Sequence, residues 1–460
     1  MIRRAVGRKA RMRHESRALL AMACAVAAVV GMLGAAAPPA HGSAVVVVNP
    51  TYAMTARITL PSLQATSPVY GGWNGDLYVT AFSGPTANGT LTVISGATNQ
   101  IVAKVMTGWE PGVPVVDPAN GNVYVANYDE GCGEGVPCWH APPNVTVVSE
   151  ATNAPVADIQ TPANPWTAGV DPVDGNIFVV DNAGLSIISG SNNTVLATVS
   201  AGPGPSSLAY DTANGDLYVT DGSGVQVLSA SNGSEVASIS ISSGGGSAAM
   251  FDPWNGDVYV ATTYGAAIIS GSTNTILRTL PYYGLPVFID VQGDVVFFNA
   301  GSPGNITLVS SATGQRLSSF TAGTASYITY DPANGLVFST AFDSRIMNIT
   351  FESTGALVGS VSDTGGGFLQ GLPTVDPANG NVYVTDDLGY VAVFSEVAPS
   401  AGASTTTNSW WYFGGGVALG AAAAAVVAVL IVRRKKRPEP PPPEPSEELV
   451  PQYRRFHRTR

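Results

Sequence analysis

General acid–base chemistry near neutral pH favours histidine, and between residues 45 and 400 the sequence holds one, His140. It stands in the segment Tyr128 to Pro143 beside Asp129, Glu130, Glu134 and Trp139, with Cys132 and Cys138 separated by five residues. Two cysteines this close in an exported loop most simply form a disulfide that staples it. A metal site of Cys132, Cys138 and His140 is the alternative, although no fourth ligand follows at standard spacing. Carboxylates are the other chemically capable set: Asp117, Asp171, Asp211, Asp252, Asp290, Asp331 and Asp376 recur down the chain. No Gly-x-Ser-x-Gly elbow, phosphate-binding loop or His-Glu-x-x-His helix is present, so nucleophilic chemistry has no visible apparatus.

The recurring aspartates lead to the elements that must position them. Each opens a tight turn ending in glycine, commonly Asp-Pro-x-Asn-Gly, followed by a strand with Tyr or Phe in its middle. Eight such glycines, at 75, 121, 175, 215, 256, 293, 335 and 380, lie 46, 54, 40, 41, 37, 42 and 45 residues apart. A period of this size signals a repeat architecture, because one unit is too small to bury a core alone. Within the unit from Ser206 to Ile239, four short runs rich in β-branched and aromatic residues alternate with Gly, Asn, Asp and Ser. That pattern predicts four antiparallel strands joined by tight hairpins. Aspartates in the same turn of every unit are expected to cap that turn, leaving catalysis as the lesser reading.

Four-stranded sheets at this period fit a β-propeller. Immunoglobulin-like sandwiches need about 100 residues each, roughly twice this repeat, and a parallel β-helix has a much shorter period. The ends of the array agree. Val45 to Leu60 aligns with the second half of a repeat, Leu91 to Met106, whereas the last repeat stops after its third strand near Tyr390 to Ser395. The two ends are therefore expected to complete one blade and close a ring of eight, or of seven if Val287 to Gly323 is absorbed elsewhere.

Units with Val-Tyr-Val-Thr or Val-Tyr-Val-Ala-Asn after the turn, then Val-x-Val-Ile and Thr-Asn-x-Val-Val-Ala-x-Ile strands, resemble the YVTN-type β-propeller repeat of surface-layer and secreted proteins. The resemblance covers Val45 to Val397. Units two, four, five and eight match best, while Val295-Val296-Phe297-Phe298-Asn299 and Leu336-Val337-Phe338-Ser339-Thr340 depart from the motif. It implies an exposed all-β propeller and says little about activity.

Composition divides the rest. Residues 1–17 hold seven Arg or Lys, Ala18 to Gly34 is almost wholly apolar, and small residues follow, so residues 1–44 read as a secretory signal and cleavage region, with an uncleaved anchor as the alternative. Residues 398–409 read as a Ser/Thr-rich stalk. Residues 410–432 are uncharged, begin Trp410-Trp411-Tyr412 and precede Arg433-Arg434-Lys435-Lys436-Arg437, the pattern of a transmembrane helix with its C-terminal side cytoplasmic. Gly416-x-x-x-Gly420 offers a helix-pairing face that carries little weight by itself. Residues 433–460 form a basic, Pro-rich tail, a spacer or a docking motif in polyproline II form. Between residues 45 and 400 five Lys or Arg stand against 27 Asp or Glu, a balance of about −22 that excludes nucleic acid as a partner.

Six sequons, at Asn88, Asn144, Asn192, Asn232, Asn305 and Asn348, are glycosylation candidates, most of them beside a third strand. No cofactor is expected, with calcium on carboxylates such as Asp386 and Asp387 as the alternative. The sequence thus points to a single-pass surface protein whose propeller recognises a cell-envelope protein or glycan, and not to an enzyme. A propeller lyase or lactonase using Asp, Glu and a metal is the competing reading. As the longest departure from the repeat, the loop holding Asp129, Glu130, Glu134, Trp139 and His140 is the expected binding element.

Overall fold

A computed structural model describes residues 50–397, apart from 85–86, 129–142, 173, 182–183, 203, 242–243 and 245. The expected signal, stalk, transmembrane and tail segments lie outside the described residues. What is described is an eight-bladed β-propeller. Blades 2 to 7 cover 115–160, 165–199, 207–240, 248–280, 285–321 and 327–362, each a four-stranded antiparallel meander. Blade 6 is the weak unit that left seven blades open, and it forms a complete sheet. Blade 1, 64–109, has a fifth piece because its first strand is split into Gln64–Ala65 and Val69–Tyr70 around Pro68, which has no N–H to give to a ladder. The first strands of successive blades contact one another and form the inner wall of the ring.

Blade 8 is built from both ends of the array. Thr51–Thr59 pairs antiparallel with Tyr390–Val397, from Thr51 opposite Val397 to Thr59 opposite Tyr390, and supplies the fourth strand that the last repeat lacks. Arg57 on this closing strand reaches inward: Nη2 donates to Asp386 Oδ2 at 2.5 Å, Nη1 donates to Gly365 O at 2.9 Å, and the guanidinium lies over the Tyr390 ring. The closure is therefore an ion pair and a cation–π contact as well as a strand pairing.

The turn residues act as the sequence pattern requires. Asp117, Asp211, Asp252, Asp290, Asp331 and Asp376 each accept the backbone N–H two residues on at 2.8–2.9 Å, and Asp171 accepts that of Asp174. The glycine closing the turn takes positive φ, as at Gly215 with 78°. The Asn before it ties the blade to the next one. Asn214 Nδ2 donates to Gly271 O at 2.8 Å, Asn120 Nδ2 to Gly190 O at 3.0 Å, and Asn379 Nδ2 to Gly96 O at 3.0 Å. The buried Tyr of the second strand makes a parallel tie: Tyr78, Tyr124, Tyr218 and Tyr383 donate to Asn153, Asn193, Asn274 and Asn99, all held left-handed in the next blade's outer hairpin. The Asp and Gly of the motif thus fix the turn within a blade, and the Asn and Tyr tie one blade to the next.

The apolar core follows the same plan. It is divided into layers between neighbouring blades, such as Tyr218, Val225 and Val227 of blade 4 against Val258, Val260 and Ile269 of blade 5. Every outer strand is kinked by a β-bulge at the same place. In blades 1 to 6 the bulged residue is Val102, Val156, Leu196, Val236, Leu277 or Leu317, each about half exposed. A bulge there twists the free edge and opposes pairing with another chain.

Candidate functional site

The meander gives the ring two unlike faces. One carries the Asn-Gly turns and the outer hairpins; both Thr51 and Val397 lie on it, so the chain enters and leaves there. The opposite face carries the loops between second and third strands and the links between blades. Lengths vary on this loop face: four residues link blades 5 and 6 (281–284), whereas eleven link blades 7 and 8 (363–373). The expected binding loop joins Asn122–Asn127 to Asn144–Ser149 and so departs from the loop face. Its residues Asp129, Glu130, Cys132, Glu134, Cys138, Trp139 and His140 lie outside the described residues.

The seven repeated aspartates do not converge on a reaction centre. All are almost fully buried, one in each turn of blades 2 to 8. Burial pushes Asp117, Asp211 and Asp252 above the ordinary carboxylate range, and the turn N–H groups partly offset this by stabilising the charged form. Blade 1 lacks the aspartate, since Gly71 takes the position, with its N–H on Asp76 O as Asp171 N–H is on Asn176 O. The missing carboxylate comes from the next blade: Glu150 Oε2 accepts the Trp73 N–H at 2.9 Å. A second glutamate at the equivalent place, Glu352, meets a blade that already has its aspartate, Asp290. Burial and that neighbouring carboxylate push Glu352 up to about 7, but it is 5 % exposed and sealed between blades 6 and 7.

The carboxylates named for calcium have protein partners. Asp386 Oδ1 accepts the N–H groups of Leu388 and Tyr390 while Oδ2 takes Arg57, and Asp387 accepts the Phe368 N–H. Among the described residues no group of three or more side chains is arranged to hold a metal ion. Of the sequons, Asn88, Asn192 and Asn232 are exposed. Asn144, Asn305 and Asn348 are half-buried and bonded to Asn127, Thr307 and the Ala322 carbonyl respectively.

A cavity of about 380 Å³ opens on the loop face at blade 6, between blades 5 and 7. Phe298 floors it, and Tyr283, 57 % exposed, forms one side with Leu285. Thr262, Ser247, Asn299 and Ser326 supply its polar groups. Two local features frame it. The link 281–284 is short, and Phe298 stands where blades 1, 4, 7 and 8 have Thr80, Thr220, Thr340 and Thr385. In blades 1 and 7 that threonine fills the space by bonding a neighbouring blade's link, Thr80 to Gly112 O and Thr340 to Gly371 O. Sequence reasoning did not find the cavity. The available signal was the broken motif at Val295 to Asn299.

No family model matches the sequence, and no curated protein sequence does. The fold itself has solved counterparts. BamB from Moraxella catarrhalis superposes with a TM-score of 0.53 at 13 % identity over 75 % of this chain and 98 % of that one. The computationally designed protein Ika8 does so with a TM-score of 0.56 at 14 % identity, over 73 % and 99 %. At such identities the likeness is one of fold. The resemblance to the YVTN-type family rests on the motifs in the sequence.

Proposed function

We propose that this chain is a membrane-anchored surface protein whose propeller is a rigid recognition or adhesion platform for a cell-envelope protein or glycan, with the loop face as its working surface. One observation carries the reading: the described loops that vary in length, the ends of the blade 2 insertion and the cavity share the face opposite the one through which the chain enters and leaves. Eight interlocked seams hold that face as a fixed scaffold, and function commonly resides on loops so held. Export and anchoring rest on the sequence pattern of residues 1–44 and 410–437, and glycosylation on the exposed Asn88, Asn192 and Asn232. Nothing at the described loop face favours a lyase or lactonase: the carboxyl with the most suitable protonation range, Glu352, is shut inside a seam.

The test is capture of washed envelope fractions by the immobilised full-length chain. Saturable uptake that is reduced when Tyr128 to Pro143 is replaced by a short Gly-Ser turn is the expected result. Absence of uptake at every ionic strength would overturn the platform reading. Turnover of polysaccharides or lactones with added calcium or zinc would replace it with the enzymatic one.

A further inference from the structure

The cavity at blade 6 differs chemically from the rest of the molecule. In a region with a balance of about −22, its lining contains no ionisable acid or base other than the Tyr283 phenol. The loop-face end of the second strand is Asp181, Asp221 and Asp386 in blades 3, 4 and 8, where the carboxylate caps the following loop, but Ala81, Asn127 and Ala341 in blades 1, 2 and 7 and Thr262 and Asn299 in blades 5 and 6. The acid is missing where the cavity forms. A cation therefore finds no counter-charge and an anion meets an acidic surround. What remains is an apolar floor and a half-exposed aromatic wall with hydroxyls and one amide at the margin.

From this we infer that the cavity is a binding site for a neutral saccharide, a one- or two-ring unit of an envelope or host glycan. A pyranose ring has an apolar C–H face that packs on an aromatic ring and an equatorial fringe of hydroxyls that bond Ser, Thr and Asn side chains. Tyr283 supplies the stacking surface, Phe298 the floor, and Thr262, Asn299, Ser247 and Ser326 the hydroxyl partners. The volume lies at the lower end of the range for small-molecule sites, about 300–1,000 Å³. Tyr283 is held by the ring scaffold: its neighbour Gly284 has φ 129°, and a side chain there would strike the Phe298 backbone. The inference rests on the loop face being the recognition face.

The test uses the purified full-length chain, free of sugar-based detergent, with maltose, cellobiose, lactose and chitobiose as probes and galacturonate oligomers as the acidic comparison, read by saturation-transfer NMR and titration. At least one neutral disaccharide is expected to saturate at millimolar concentration, and galacturonate oligomers are not. Tyr283→Ala should weaken that binding about tenfold. Asn299→Ala should weaken it less, and Trp254→Ala on the turn face should leave it unchanged. Binding that survives Tyr283→Ala, or that favours the acidic oligomer, overturns the inference. So does the absence of saturation by any neutral probe; if the same preparation still captures envelope fractions, the platform reading survives and only the sugar site falls, whereas failure of both assays removes both.

Discussion

The seam between blades 4 and 5 and the seam between blades 6 and 7 occupy equivalent places in one ring and are held by opposite means. In the first, Tyr218 spans the interface to Asn274, Asn214 bonds Gly271 O, and Gly271 leaves room for the Asp211 carboxylate. In the second, Val296 replaces the tyrosine and Glu352 replaces the glycine. Two carboxyl groups, Asp290 and Glu352, then share a buried interface, and Glu352 Oε1 has no hydrogen-bond partner. Offset stacking of Phe288 on Tyr330, centroids 4.7 Å apart, covers the same seam. A repeat motif thus fixes where neighbouring blades touch, but the residues filling each seam decide how strongly it responds to pH.

Five substitutions sharpen the contrast. Tyr218→Ala removes a fully buried ring and its tie, and should cost about 4 kcal/mol in thermal or denaturant unfolding. Val296→Ala at the matching place should cost about half as much, and equality of the two would break the comparison.

The second effect depends on pH. Glu352 keeps its proton up to about 7 when folded, against an ordinary value of 4.5. Between these values the folded state binds the extra proton, so stability is highest below 4.5 and falls as pH rises to 7. Glu352→Gln should remove that decline, with a gain of about 3 kcal/mol at pH 8 and almost none at pH 4. Parallel stability–pH curves for the two proteins would show that the pair is not coupled.

Third, Gly271→Ala should cost about 2 kcal/mol, because the new Cβ meets both the Asp211 carboxylate and the Gly256 carbonyl. A neutral result would mean that the seam between blades 4 and 5 has slack. The smallest expected change is Tyr218→Phe, about 1 kcal/mol for the single tie, with Phe178 and Phe338 already occupying that position in blades 3 and 7. Hydrogen exchange at Asn274 should rise in this variant and not at Asn153.

Most of the fold was legible in local chemistry. Asp-Pro-x-Asn-Gly fixes a turn within five residues, alternating β-branched residues fix the strands on either side, and seven spacings between eight glycines narrow the count to seven or eight blades. The half-repeat at Thr51 to Thr59 announced the ring closure because it matched what blade 8 lacked. The aspartates were legible as turn caps for the same reason, since cap and capped N–H lie two residues apart. Less of the site could be read. Glu150 compensates for Gly71 from a position 79 residues on, and Arg57 meets Asp386 within blade 8 although 329 residues separate them along the chain.

What the sequence determined by itself was therefore what depends on neighbours along the chain, the turns, strands and hairpins, together with the half-repeat that foretold the closure; the complete sheet of blade 6 decided that the ring has eight blades. Tertiary structure decided what the seams contain and which face carries the cavity, because those depend on side chains from two or three blades meeting. Phe298 reads in sequence as one more strand residue; only the short link 281–284 above it and Thr262 of the preceding blade make it the floor of a site.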